Sequence, residues 1–166
     1  MTAFFLEINL VLSYTIIMQK LKILFISRAY PPTVGGIENQ NYELGEWLGK
    51  IADVKIIANK RGKNFLPFFL PYAIIKSLFI AKNYDAILLG DGVLSVVGYK
   101  LKFFCKKPVI CVVHGLDLTF KNFLYQKLWV EKFIPSFDKI IAVGNETIRI
   151  AKEKGISEEK LVFIPN

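Results

Sequence analysis

The sequence is poor in the residues from which disulfides and metal sites are built. It has two cysteines and one histidine among 166 residues. Cys105 and Cys111 form neither a CxxC pair nor a metal-ligand spacing, so we expect buried, free thiols and a reducing compartment. With no second histidine and no cysteine pair, the sequence does not predict a metal site.

Acidic residues are also scarce. There are 14 aspartates and glutamates against 22 lysines and arginines, which gives a net charge of +8. This balance favours an anionic partner, such as nucleic acid, an acidic membrane or a phosphorylated substrate. No recognised nucleic-acid-binding motif accompanies the charge, so we do not expect nucleic acid as the partner.

Two common nucleotide-binding signatures are missing. The first predicted strand is not followed by GxGxxG, and GxxxxGK[ST] occurs nowhere in the chain. In those motifs, closely spaced glycines let the backbone approach the phosphates of a dinucleotide or nucleoside triphosphate. Their absence argues against a nicotinamide-binding domain and against a P-loop nucleotidase.

The amino-terminal residues differ from the rest of the chain. Phe4 to Ile17 is largely apolar but carries Glu7 and Asn9, and it is too short for a membrane span. It also lacks the basic flank and the small-residue cleavage site of a secretory signal. We interpret residues 1–18 as an upstream extension and residues 19–166 as one domain.

Strands and helices alternate through the rest of the sequence. Short apolar runs predict strands, and apolar residues at helical spacing predict the helices between them. The predicted strands are 23–26, 53–58, 85–89, 109–113, 138–143 and 161–164, and the predicted helices are 36–50, 68–82, 93–104, 122–134 and 146–154. Most strands are continuously apolar, which is typical of strands buried on both faces. We therefore predict an α/β fold with a doubly wound, mostly parallel sheet and helices on both faces.

Polar residues and glycines collect where the predicted strands end. In an open α/β sheet the carboxyl ends of the strands lie along one rim, where ligands bind. The segments at this rim are Gly35-Gly36, Gly90-Asp91-Gly92, His114 to Asp117 and Gly144-Asn145-Glu146. Gly35-Gly36 opens a helix, whose free N–H groups favour an anion such as a diphosphate. The alternative is a plain turn in which the glycines serve only the backbone.

His114 is the only histidine, and it follows an apolar strand directly. Its ring is therefore expected to face the rim, where it can hydrogen-bond a substrate hydroxyl or support a charge. A purely structural role is the alternative. Asp117, three residues later, can orient His114 or cap the next helix.

Several of these segments together resemble a known family. Gly35-Gly36-Ile37-Glu38 after a Pro-Pro loop, His114-Gly115-Leu116-Asp117, Ala142-Val143 and the closing Phe163-Ile164-Pro165-Asn166 are similar to the amino-terminal domain of retaining glycosyltransferases of family 4, the group 1 class. The resemblance runs from about Lys20 to the end of the chain. It implies a Rossmann-like half of a GT-B fold. Two positions depart from the usual pattern, because Gly144 stands where serine is common and Gly90-Asp91-Gly92 replaces a turn that contains histidine.

The resemblance implies a site and a reaction. Family members move a sugar from a nucleotide-diphosphate sugar to an acceptor, with retention of anomeric configuration and without a metal or other cofactor. By resemblance, Gly35 and Gly36 lie near the donor's phosphates and His114 lies near the transferred sugar, as the candidate catalytic residue. The candidate substrate-binding residues are Gly35, Gly36, Glu38, Asp91, Gly115, Asp117 and Asn145.

The resemblance also implies that the chain is the acceptor-side part of a larger enzyme. The family's nucleotide-binding carboxyl-terminal domain, with its Glu-x7-Glu pair, is not in this sequence. We therefore expect the 166-residue chain to fold alone but to be inactive alone. The alternative is a non-catalytic α/β module that binds an anionic or lipid-linked saccharide.

Three stretches mix basic with aromatic and aliphatic residues: 60–70, 99–107 and 120–127. One interpretation is helices packed on the sheet with lysine stems at their edges. The other is a patch that docks on anionic lipid, which would suit a lipid-linked acceptor. We expect a cytoplasmic location, with peripheral contact at the inner face of the membrane under the second interpretation.

Overall fold

A computed structural model describes residues 20–165, and it forms a six-stranded sheet. The extension predicted over residues 1–18 lies outside the described residues, as do Gln19 and Asn166. The strands are β1 (Lys22–Ser27), β2 (Asp53–Ala58), β3 (Ala86–Leu89), β4 (Val109–Val113), β5 (Lys139–Ala142) and β6 (Leu161–Phe163). Their order in the sheet is β2-β1-β3-β4-β5-β6, and every neighbouring pair is parallel. The predicted fold class is confirmed.

Helices cover both faces of this sheet. They are α1 (Gly36–Ile51), α2 (Leu66–Ile80), α3 (Ser95–Cys105), α4 (Gly115–Thr119), α5 (Phe123–Tyr125) and α6 (Asn145–Glu153). Helix α5 continues into a π-helix, Gln126–Phe133. Helix α1 packs on one face through Leu44 and Leu48, while α2, α3, the π-helix and α6 pack on the other.

The central strand β1 shows why the sheet is buried on both sides. Successive side chains of a strand point to opposite faces. Leu24 and Ile26 belong to the core under α2 and α3, whereas Ile23 and Phe25 belong to the core under α1. A strand that supplies two cores needs an apolar residue at every position, and this accounts for the unbroken apolar run in the sequence.

The strand order places a topological switch point between β1 and β3. From β1 the chain crosses to β2 on one side and then returns past β1 to β3 on the other side. The ends of β1 and β3 are joined by a hydrogen bond from the Gly90 N–H to the Ile26 carbonyl, at 2.9 Å. Crevices at such switch points are the usual ligand sites of open α/β sheets.

The helix predictions need two corrections. The second helix begins at Leu66 and not at Phe68, so Pro67 occupies its first turn and Pro71 lies inside it. Pro71 cannot donate to the Pro67 carbonyl, but Pro67 is exposed and its carbonyl can bond water instead. Residues 114–117 were expected to form only a strand exit, but Gly115–Thr119 is helical, because the Asp117 side chain accepts the His114 N–H and caps the helix start.

Candidate functional site

An ion pair closes the switch point. Ser27 ends β1 and turns the chain by donating its hydroxyl to the Ala29 carbonyl at 2.7 Å. Arg28 Nε then donates to Asp91 Oδ1 at 2.9 Å, and that oxygen also accepts the Val93 N–H at 3.0 Å. The Asp91 side chain is fully buried and that of Arg28 is 21% exposed. The exits of β1 and β3 are therefore joined by a charged contact whose carboxylate is fully shielded from water.

The turn after β3 fits between two neighbouring side chains only because it contains glycines. A Cβ at Gly90 would lie 2.7 Å from Asn41 Oδ1, which belongs to α1. A Cβ at Gly92 would lie 2.7 Å from Asp117 Cβ. The Gly90-Asp91-Gly92 turn is therefore a close-packed junction between α1 and the exit of β4.

Asp117 joins the exits of β3 and β4. Its Oδ2 accepts the Gly92 N–H at 3.1 Å and the His114 N–H at 2.9 Å, and the residue is 5% exposed. The second of these bonds caps the start of α4. The Asp117 side chain is thus held by backbone N–H groups of this chain, and little of its surface is left for a ligand.

His114 stands at the end of β4, half-buried, next to this network. Burial lowers the pKa of its imidazole below the usual 6.5, and the positive charge of Arg28 acts in the same direction. The Asp117 carboxylate and a hydrogen bond with the Gly90 backbone oppose the shift without reversing it. The imidazole is therefore neutral at pH 7, with one nitrogen able to donate and one able to accept.

The exits of β1, β3 and β4 also hold most of the unpaired buried polar atoms of residues 20–165. Five buried side-chain atoms in that range have no hydrogen-bond partner, and four of them lie here: Asn41 Oδ1, Asp91 Oδ2, His114 Nε2 and the Tyr125 hydroxyl. Each such atom costs about 1–3 kcal/mol. Native structures pair most of these groups, so a concentration at one place indicates a site that water or a ligand completes.

Burial also shifts the other titratable groups of this network. It raises the pKa of Asp91 to about 6, against the opposing charge of Arg28. It raises the pKa of the Tyr125 hydroxyl above its usual range, with the negative charges of Asp117 and Asp91 adding to the effect. The Cys111 thiol, fully buried next to the Asp91 carbonyl, has its pKa raised by burial as well. Tyr125 and Cys111 thus stay protonated at neutral pH.

The predicted phosphate-binding segment lies at the amino end of α1. Gly35 is the N-cap residue and Gly36 begins the helix. Nothing lies within 4 Å of a Cβ built at Gly36, so the backbone is open there. The Glu38 carboxylate folds back over Gly35, where it faces the positive end of the helix dipole. An anion arriving at this turn would have to displace that carboxylate.

Asn145 and Gly115 lie farther along the rim. Gly115 begins α4 and Asn145, which is exposed, begins α6. The hydroxyl of the buried Thr147 lies between the two helix starts, 4.0 Å from a Cβ built at Gly115 and 3.7 Å from one built at Gly144. The structure thus places all eight candidates at the carboxyl ends of the strands, and it brings Asp91, His114 and Asp117 into one network.

Sequence reasoning missed two members of this network. Arg28 directly follows β1, and a basic residue at a strand exit was a signal that could have been used. Tyr125 lies in a stretch whose aromatic residues suggested packing, and its ring does stack on Trp129 at 5.3 Å. Within residues 20–165, no three His, Cys, Asp or Glu side chains are grouped so that they could hold a metal ion.

The sequence profile of glycosyltransferase family 4 matches residues 34–166, which is most of the chain. This chain belongs to glycosyltransferase family 4. The match includes the start of α1 and every candidate residue from Gly35 to Asn145. No curated protein sequence matches the chain significantly.

Solved structures confirm the fold. HepE of Anabaena, in complex with UDP and glucose, is 20% identical over 88% of this chain, with a TM-score of 0.61. The complex of HepE with UDP-glucose gives 18% identity and a TM-score of 0.59. The apo form of the lipopolysaccharide outer core galactosyltransferase WaaB is 15% identical over 88% of the chain, with a TM-score of 0.61. At these identities the likeness shows the fold alone, which is that of the amino-terminal part of a GT-B glycosyltransferase.

The family 4 chain spans less than half the length of these structures. It covers 44% of HepE and 46% of WaaB. The likeness therefore concerns one part of each of those proteins.

Proposed function

We propose that this chain is the acceptor-side domain of a retaining glycosyltransferase, which moves a sugar from a nucleotide-diphosphate sugar to a saccharide or lipid-linked acceptor. Membership of family 4 supports glycosyl transfer. The UDP and UDP-glucose bound by the structural neighbour HepE support a nucleotide sugar as donor.

One observation carries the proposal at the level of residues. The neutral imidazole of His114 has a buried nitrogen without a partner, at the switch point of the sheet of a family 4 chain. A neutral imidazole can bind a sugar hydroxyl, because the hydroxyl can both donate and accept hydrogen bonds. We therefore assign His114 to the transferred sugar.

The other candidates divide into three groups. Gly36 offers open backbone at the positive end of α1, and Gly35 lies under the Glu38 carboxylate, so this turn suits a diphosphate that displaces Glu38. Asp91 and Asp117 are enclosed and bonded within the chain, so they position the turns around His114. Asn145 is exposed and is assigned to the acceptor.

The decisive experiment measures transfer by the chain joined to whatever its gene encodes after Asn166. A panel of nucleotide sugars is tested for release of the nucleoside diphosphate, and NMR of the product gives its anomeric configuration. His114→Ala is compared with Glu153→Gln, a change at the far end of α6 that leaves the rim intact. We expect His114→Ala to lower kcat/KM by about 10²-fold or more, as for loss of a group that contacts the reacting sugar, and Glu153→Gln to have no effect.

The same panel separates the alternatives. We expect the 166-residue chain alone to give no turnover, because the resemblance places the nucleotide site in a carboxyl-terminal domain. Equal activity of His114→Ala and Glu153→Gln would contradict the role of His114, and an inverted product would contradict retention. Saccharide binding without turnover of any donor would favour the non-catalytic module.

A further inference from the structure

Helix α2 is unusually apolar for its place in the fold. With its flanking turns, Lys63–Asn83, it is long and apolar enough to cross a membrane by length and composition. However, α2 is the crossover between the parallel strands β2 and β3, and it packs on the sheet through Phe69, Ala73 and Ser77. It therefore lies along the domain instead of leaving it.

The outward face of α2 is apolar as well. Phe68 is 70% exposed, Tyr72 49%, Ile75 58% and Phe79 82%. Their spacing of four, three and four residues puts them on one side of the helix. A helix that covers a sheet in water ordinarily has polar residues on that side. We call these four residues the α2 face.

Cations surround the α2 face at both ends. Lys60, Arg61 and Lys63 precede the helix and Lys82 follows it, and no acidic residue occurs between Val54 and Tyr84. Tyr72 and Lys76 of the helix, together with Lys60 and Tyr30, line a pocket of about 300 Å³ beside the face. Lys76 donates to the Tyr72 hydroxyl at 2.6 Å, and Lys60 and Lys76 bring two positive charges to this pocket.

The sequence segment that contains α2 is strongly basic. Residues 54–116 carry ten basic and two acidic side chains, which equals the net charge of the entire sequence. Of the two acidic groups, Asp91 is buried against Arg28, whereas Asp85 is exposed and lies just before β3, where it accepts the Lys22 N–H.

We propose that the α2 face docks on the surface of an anionic lipid bilayer. The four apolar side chains would enter the interface, while the flanking lysines and the pocket of Lys60 and Lys76 bind phosphate headgroups. A second copy of the chain fits the face poorly, because two such faces would bring their lysines together without an acidic partner. The docking does not depend on glycosyl transfer.

Vesicle flotation of the full chain tests the contribution of the apolar side chains to lipid docking. Vesicles of phosphatidylcholine alone are compared with vesicles that also contain phosphatidylglycerol. We expect flotation only with the anionic vesicles, weakened by added salt. Phe79→Ser should lower the partition coefficient about tenfold, because it removes one large inserted side chain. Trp47→Ser is the matched control, since Trp47 is 66% exposed on α1 at the opposite face of the sheet.

The contribution of the lysines to lipid docking is tested with a second pair of variants. Lys63→Gln should lower the partition coefficient about fivefold, whereas Lys50→Gln, on α1, should leave it unchanged. Circular dichroism is used to check that all four variants are folded. Failure to float with anionic vesicles, or equal losses in Phe79→Ser and Trp47→Ser, would overturn the proposal. Self-association that Phe79→Ser abolishes in the absence of lipid would also overturn it and assign the face to a second copy.

Discussion

At the scale of single residues, the site is defined by groups that are charged or polar and yet shielded from water. The Arg28–Asp91 pair, Asp117 and the imidazole of His114 come from the exits of three strands. A buried pair of this kind contributes little net stability, but removal of one partner leaves an uncompensated charge in the interior. The network therefore fixes the position of His114 more than it stabilises the fold.

The lowered pKa of His114 gives a prediction that needs no substrate. Because the chain has one histidine, its imidazole gives one set of NMR signals. We expect their titration midpoint in the folded chain to lie below 6.5, the usual value, which the urea-unfolded chain should show as a reference. Arg28→Met should raise the midpoint, because the Arg28 charge disfavours the imidazolium.

The same shift predicts a change in stability with pH. Above about 6.5 the histidine is neutral in both states, but below it the unfolded chain binds a proton that the folded chain does not. The free energy of unfolding of the wild type, relative to His114→Gln, should therefore fall as the pH drops from 6.5. A midpoint at or above 6.5 in the folded chain would contradict this account of the site.

The residues of the site were only partly accessible to sequence reasoning. His114 could be placed at the rim because it follows an apolar strand directly. The partnership of Arg28 with Asp91 could not be foreseen, since it depends on which strand lies next to β1, and the sequence pattern does not give strand order. Tyr125 was not predicted as a site residue, because aromatic residues in a helix usually pack against other apolar side chains.

At the scale of elements, the turn after β3 joins the two halves of the sheet. The side chain of Asn41, in α1, packs closely against Gly90, and the side chain of Asp117, in α4, packs closely against Gly92. A turn with side chains at these positions would push both helices away from the strand ends.

The element-scale prediction compares two glycines. Gly92→Ala should lower the free energy of unfolding by about 1–3 kcal/mol, because its Cβ overlaps the Asp117 side chain that caps α4. Gly49→Ala should raise it by about 0.5–1 kcal/mol, because Gly49 is exposed within α1 and has open space around it. Urea unfolding measures both. A neutral Gly92→Ala would show that the junction is loosely packed.

Sequence patterns predicted the strands better than the helices. Residues 53–58 and 109–113 are strands with the predicted bounds, because both are short segments rich in valine and isoleucine, which favour strands. The predicted start of the second helix was less accurate, because either of its two prolines, Pro67 or Pro71, could occupy a first turn. The change from α5 to a π-helix has no counterpart in the apolar spacing. In the structure it places the Trp129 indole N–H 2.8 Å from the Val93 carbonyl.

At the scale of the whole molecule, two cores share one sheet. The larger lies under α2, α3, the π-helix and α6, and the smaller lies under α1. Because β1 alternates its side chains between them, neither core can form without the strand that builds the other.

We therefore expect the 166-residue chain to unfold in one cooperative transition. Far-UV circular dichroism and tryptophan fluorescence should give the same midpoint in urea. Trp47→Phe provides a matched test, because it leaves Trp129, which is bonded to the turn after β3, as the remaining fluorophore. Separate midpoints for the two probes would show that the cores unfold independently.

The strand order also sets a sequence of events during synthesis. Asp91 is added 63 residues after Arg28, and the edge of β1 that β3 will occupy stays open until then. His114 and Tyr125 follow later still. A ribosome-bound chain that has completed β1, α1 and β2 thus has the Gly35-Gly36 turn but no partner for Arg28 and no histidine. The proposed sugar-binding site is therefore completed late in synthesis, so a ligand at that site could stabilise the finished domain but could not assist its early folding.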